Sequence, residues 1–251
     1  MKNSFNARST AEEVLSGIDL SGKTTPLACD LSDLSSVKVA IATLLAAGRP
    51  VDRVIANASI FAPPRLEQCP GVEKQFVVNY LGHFVLITDI LHAIPQHAGA
   101  RIVIVSSSAH TKAAKAGIEF DNLFCERDYN GSRFYGQSNV ARILFTRALA
   151  RRVGSRLFTK SIPQGAATQC YLAAHPEVEG VTGKYFSDCR IAESSHVTQG
   201  NELGERLWTV SDQLITRVSS RLPQDITAPQ ATAPTVPHEV YMLLRIRAPK
   251  R

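Results

Sequence analysis

The chain has 251 residues, 44% of them apolar and 20% charged, with a formal charge of +6 at neutral pH. That length fits one large domain or two small ones, and the composition is that of a soluble globular protein, not a disordered or collagen-like one. The five cysteines are odd in number and never spaced CxxC. They argue against a disulfide framework or a zinc site and for a reducing compartment. The seven histidines show no ligand-like spacing. No apolar run reaches the length of a membrane span, and MKNSFNARSTAEEV lacks the order of a secretory signal. The expected location is cytoplasmic or peripheral to an intracellular membrane. The positive charge admits anionic partners, a membrane surface among them, while nucleic acid is not expected. One basic cluster is Arg142, Arg147, Arg151, Arg152 and Arg156; another is Arg245, Arg247, Lys250 and Arg251. The plain reading of both is a solvated helix face and a loose terminus.

In chain order, STAEEVLSG predicts a short helix with Ser9 or Thr10 as N-cap and Gly17 as its end. A short apolar run around 26–29 reads as a strand. SVKVAIATLLAAG predicts an amphipathic helix closed by Gly48. VDRVIANAS has the alternation of a strand. VEKQFVVNYLGHFVLITDILHAI predicts a long, largely buried helix. ARIVIVSSS predicts a strand ending in three serines, AGIEFDNLFCERDYNGS is irregular, and SRFYGQSNVARILFTRALARR predicts a second long helix. KSIPQGAATQCYLAAHP reads as a helix, GKYFSDC as a strand and ELGERLWTVSDQLITRVSSR as a helix. Residues 1–221 thus form one domain. From Leu222 the composition turns rich in Pro, Thr and Ala, and 222–251 reads as a disordered basic tail. Strands alternating with helices predict an α/β fold with a mostly parallel sheet.

In such sheets ligands bind beyond the carboxyl ends of the strands. Two predicted strand ends are polar here: Asn57-Ala58-Ser59 and Ser106-Ser107-Ser108. Each alone is explained by a turn or a cap. Both together, with Tyr135 on the following helix, favour a site. Within YGQSN, Tyr135 and Asn139 are four residues apart and share a helical face.

These segments carry a resemblance. NARSTAEEV, CDLSDLSSV, VIANASIFA, FVVNYLGHF, RIVIVSSSAH, YGQSN and GVTGKYFSDC together resemble the short-chain dehydrogenase/reductase family, in its retinol-dehydrogenase-like branch, from about Asn6 to Arg217. The resemblance implies a Rossmann-like, doubly wound parallel sheet, NADP or NAD as cofactor, and a small alcohol or carbonyl as substrate. It implies that Asp30 touches the adenine ring and that Asn57 and Ala58 belong to the cofactor-binding stretch after a central strand. Asn79 would be a structural and proton-relay asparagine. Ser107 would hydrogen-bond the substrate oxygen, and Tyr135 would be the general acid/base. In the family a lysine four residues after the tyrosine supplies a cation. A phenol of ordinary pKa is a poor base at neutral pH, and a nearby cation favours the phenolate.

Three departures qualify that reading. Asn139 stands in the lysine position and brings no charge. The glycine-rich phosphate loop is missing, since SGKT runs straight into TPLACDLSD. With it would go a βαβ unit of roughly 30 residues or more. The strand after the catalytic helix, with its Pro-Gly turn, is also expected to be absent, because ARRVGSRLFTKS leads directly to KSIPQGAAT. The expectation is therefore a truncated sheet, with the 26–29 strand against the 52–56 strand or both edges open. The expected chain is an impaired or inactive oxidoreductase. The alternative is a non-catalytic binding or regulatory protein acting through the basic helix or the tail.

Overall fold

The computed structural model describes residues 29–48, 51–94, 100–153, 157–162, 167–219 and 245–246. The expected N-terminal helix over 9–17 lies outside them, as does most of the tail.

The first described helix, α1 (Leu34–Ala46), begins where Asp33 accepts a hydrogen bond from the Ser35 amide. It buries Leu34, Val37, Ala40, Ile41 and Leu44, the three- and four-residue spacing of one apolar face. Gly48, at φ +61°, follows its end as expected. Strand β1 (Val51–Ala56) comes next. A small ribbon of β2 (Gln68–Cys69) and β3 (Val72–Glu73) then leads into α2 (Lys74–Ala93). The Glu73 carboxylate caps α2 by accepting from the Phe76 amide. Residues Val77–Leu81 widen α2 into a π turn. By length and composition α2 could cross a membrane, contrary to the sequence expectation that no segment is long enough. However, 72% of its apolar stretch is buried within the protein.

Strand β4 (Arg101–Ser107) alternates between two cores: Ile102 and Ile104 face one, Val103 the other. The larger core lies against α1, α2, α3 (Gly131–Val153) and α5 (Glu202–Ser219). In it Phe84, Phe145 and Trp208 pack ring against ring, with centroids 4.9–5.6 Å apart. The smaller core lies under α4 (Ala167–Ala174). Helices thus cover both faces of the sheet, as a doubly wound fold requires.

The sheet has six strands in the order β7-β6-β5-β4-β1-β8. Strands β1, β4, β5 (Leu157–Ile162) and β6 (Lys184–Ser187) are parallel. The two outermost, β7 (Arg190–Ile191) and β8 (Arg245–Ile246), are antiparallel. The turn from β6 to β7 uses Asp188 and Cys189 at φ +51° and +58°, the paired left-handed geometry of a tight hairpin.

Two expectations are corrected. A strand does follow the long helix: β5 pairs along its whole length with β4 and then with β6. The six residues LFTKSI fill a gap between two parallel strands whose backbone groups would otherwise lack partners. The family's Pro-Gly turn was the cue sought, and its absence concealed a strand specified by position. Consequently the helix expected from Lys160 begins only at Ala167. The strand expected at 26–29 falls almost wholly outside the described residues, and its last residue, Cys29, is irregular. The outer side of β1 pairs with Arg245–Ile246, two residues of the C-terminal tail.

Candidate functional site

The site forms where the carboxyl ends of β1 and β4 meet α2 and α3. Beyond β1, Asn57 is exposed and its Oδ1 accepts from Gln169 Nε2 at 3.0 Å. The chain then turns through Ala58 and Ile60 to Phe61. Asn79, in the π turn of α2, holds this loop from both sides: its Oδ1 accepts from the Ile60 amide at 2.8 Å and its Nδ2 donates to the Ile60 carbonyl at 3.0 Å. The same Nδ2 reaches Ser138 Oγ at 3.1 Å, and that hydroxyl donates to the Tyr135 carbonyl at 2.9 Å. Gln75 secures the next stretch, accepting from the Ala62 amide at 2.8 Å and donating to the Gly131 carbonyl at 3.1 Å. Asn79 is therefore a fully buried fastener between loop, α2 and α3.

Strand β4 ends at Ser107, which is half-buried. Its Oγ accepts from the Ala109 amide at 3.2 Å and caps the short 3-10 helix Ser108–Lys112. The Ser107 carbonyl accepts from His110 Nδ1 at 2.7 Å, and His110 Nε2 in turn accepts from the Ser195 amide at 3.0 Å. Helix α3 lies close along this end of β4. A Cβ on Gly136 would fall 2.6 Å from the Ala113 amide nitrogen and 2.8 Å from the Ala109 carbonyl oxygen, so the glycine of YGQSN is what permits the approach.

Tyr135 is half-buried, and its ring meets Phe61 edge-on with centroids 4.8 Å apart. Asn139 is fully buried. Its Nδ2 donates to the Tyr135 carbonyl at 2.8 Å, and its Oδ1 lies 3.4 Å from Ser106 Oγ, which also donates to the Asn139 carbonyl at 3.1 Å. Ser106 is thus the serine that meets Asn139. The structure gathers Ala58, Asn79, Ser106, Tyr135 and Asn139 about one strand-end layer. Asp30 is exposed, and its Oδ1 accepts in a local turn from the Ser32 amide at 2.8 Å and the Ser32 hydroxyl at 2.7 Å.

Several contributors escaped the sequence reading. Arg142 was assigned to a solvated basic face, but it is 2% exposed and donates to the carbonyls of Asn79, Val105 and Ala58. The spacing could have found it, since Arg142 lies seven residues from Tyr135 and three from Asn139 on the same helix. Burial pulls its pKa down to about 10, while the Tyr135 phenol acts the other way. His83 Nδ1 meets the Asn79 carbonyl at 3.1 Å. A carbonyl can only accept, so Nδ1 carries the proton, and Nε2 is buried with no partner among the described residues. Burial first, and Arg142 second, push the His83 pKa down to about 3. The rest of the basic helix is engaged internally. Arg151 and Arg152 both bind Glu205, at 2.8 and 2.5 Å, and Arg152 also lies 3.9 Å over the Trp208 ring. Among the described residues no group of histidine, cysteine and carboxylate side chains is arranged to hold a metal.

A family model described as short chain dehydrogenase matches residues 2–120. The chain is 34% identical over 229 residues to Short-chain dehydrogenase TIC 32 B, chloroplastic, of Brassica napus, covering 75% of this chain and 71% of that one. It is 36% identical over 222 residues to Retinol dehydrogenase 14 of Homo sapiens, covering 74% of this chain and 65% of that one. A crystal structure of an uncharacterised protein from Mycobacterium Paratuberculosis matches the fold with a TM-score of 0.59 at 27% identity, over 75% of this chain and 74% of that one. With identity of that degree across most of the plant relative, on a parallel sheet whose strand ends meet the helix of Tyr135, the chain belongs to the short-chain dehydrogenase/reductase family, in its retinol-dehydrogenase-like branch.

Proposed function

We propose that this chain is a member of the NAD(P)-dependent short-chain oxidoreductases whose alcohol/carbonyl chemistry is severely impaired. The observation that carries the reading is Asn139. It occupies the position of the family's lysine, is fully buried, and has both polar ends engaged by the Tyr135 carbonyl and Ser106. It offers Tyr135 no charge, and its Nδ2 is committed to the Tyr135 carbonyl.

In this family the nicotinamide supplies the hydride, and the protein supplies orientation and a proton. The residues here fit a dinucleotide poorly. Asp30 is turned onto Ser32. The sequence has no glycine-rich turn between Lys23 and Asp30 to admit a pyrophosphate. No step through the cofactor is therefore assigned to this chain. What survives is a half-buried phenol beside an apolar wall, since Phe61 is 68% exposed and rests against Tyr135. That wall suits the apolar part of a small alcohol or aldehyde. Loss of effective general acid/base help costs on the order of 10²–10⁴ in rate.

The test is a fluorescence titration of NADPH and of NADH into the size-checked protein, followed by turnover with retinal and small aldehydes. The expected result is no saturable binding and no turnover. Saturable binding accompanied by reduction of an aldehyde would overturn the reading. Asn139→Lys alone is expected to leave the protein inactive, because the phosphate site is lacking as well; NADPH-dependent reduction by that single variant would refute this.

The binding-protein alternative has less support. Its basic helix has Arg142 buried and Arg151 and Arg152 held by Glu205. Its tail contributes Arg245–Ile246 to the protein's own sheet.

A further inference from the structure

Arg142 combines three properties. It is buried, no carboxylate pairs with it among the described residues, and each of its donor groups ends on a backbone carbonyl. Nε donates to Asn79 in the π turn of α2, Nη1 to Val105 in β4 at 2.9 Å, and Nη2 to Ala58 beyond β1. Those three carbonyls belong to the three elements that meet α3 at the site. A buried guanidinium is tolerated only when its donors are satisfied, and a rigid planar fork can satisfy several diverging acceptors where an ammonium cannot.

Asn139 enters the same layer one turn earlier. Its partner Ser106 is the chain neighbour of Val105, the Arg142 acceptor. Side chains three residues apart on a helix have their Cβ atoms about 5–6 Å apart. The other titratable group on the Asn79 carbonyl, His83, is kept neutral by burial and by Arg142 itself. Among the described side chains the layer therefore holds one positive charge, and that charge is at position 142.

We propose that Arg142 is the positioning cation of this site: it fastens the ends of β1 and β4 to α2, and it excludes a second cation from position 139. The absence of a lysine at 139 is then a consequence of the charge one turn further along. The fastening is independent of turnover; its bearing on hydride transfer rests on the function proposed above.

The test is a double-mutant cycle on the full chain with Asn139→Lys, Arg142→Gln and the two combined. Urea unfolding is followed by fluorescence of Trp208, the single tryptophan. The expected coupling is at least about tenfold in the folding equilibrium constant, with lysine at 139 tolerated better once Arg142 is neutral. Additive effects, within about twofold, would overturn the charge exclusion. Arg142→Lys keeps the charge without the fork, and it serves where Arg142→Gln does not fold. It should lose at least about tenfold in folding equilibrium. The penalty of Asn139→Lys should persist in that background, a readout that a purely packing role for Arg142 would not produce. Arg142→Lys as stable as wild type would overturn the fastening. NADPH titration and aldehyde turnover of the same proteins read separately: binding with reduction by the wild type would refute the impaired-enzyme reading and leave the stability cycle intact.

Discussion

Asn79 and His83 lie one turn apart on α2, and each acts through hydrogen bonds that no solvent can replace. Asn79→Ala would strand the Ile60 N–H and C=O beneath the loop that carries Phe61. A buried polar group without a partner costs about 1–3 kcal/mol, and this loss should appear in the urea midpoint together with disorder of the loop. His83 makes stability depend on pH. Its folded pKa of about 3 lies below the ordinary imidazole value. As pH falls, the unfolded chain therefore takes the proton first. The His83 contribution is full above about pH 6.5 and is lost as pH drops toward its folded pKa, on the order of several kcal/mol in all. Glu73 acts with the opposite sign, because burial raises its carboxyl pKa and favours the folded state in acid. The difference between wild type and His83→Gln isolates the imidazole: unfolding midpoints measured from about pH 7 to pH 5 should fall more steeply for wild type. Parallel curves would show that His83 is not the group responsible.

The contact of α3 with the end of β4 is decided by a missing methyl. Replacing a helical glycine by alanine ordinarily gains about 1 kcal/mol of helix propensity. At Gly136 the new Cβ would meet backbone atoms of Ala113 and Ala109 at 2.6 and 2.8 Å, and backbone cannot move aside as a flexible side chain can. Overpacking of that kind costs typically about 1–3 kcal/mol, so the net change should be destabilising. Gly136→Ala is expected to lower the urea midpoint; an unchanged or higher midpoint would mean that the 3-10 segment after β4 shifts freely. Along the same helix, charge legibility failed for a geometric reason. Arg142, Arg151 and Arg152 look alike in sequence. Helical phase puts Arg142 against the strand ends and the other two against Glu205 of α5.

Across the whole molecule, the open question is the sheet edge. Strand β1 pairs with β4 on one side and, among the described residues, only with Arg245–Ile246 on the other. An uncovered strand edge is a template for pairing with another chain. Ending the chain after residue 237 should therefore raise self-association, measured by light scattering at matched concentration. A truncated protein that elutes and scatters like the full chain would show that the tail does not guard this edge.

The sequence by itself determined the alternation of strands and helices, the apolar faces of α1 and α2, the family, and the layer of Asn79, Tyr135 and Asn139. Each of these rests on local periodicity or on motif spacing, which a linear reading preserves. It misjudged what depends on neighbours distant in the chain. Strand β5 exists because two other strands leave a slot for it, and β8 because β1 offers it an outer side. Only the tertiary structure decided the place of Arg142. A charge reads as solvent-facing until three carbonyls from three separate elements are seen to converge on it, and that convergence exists only in the folded chain.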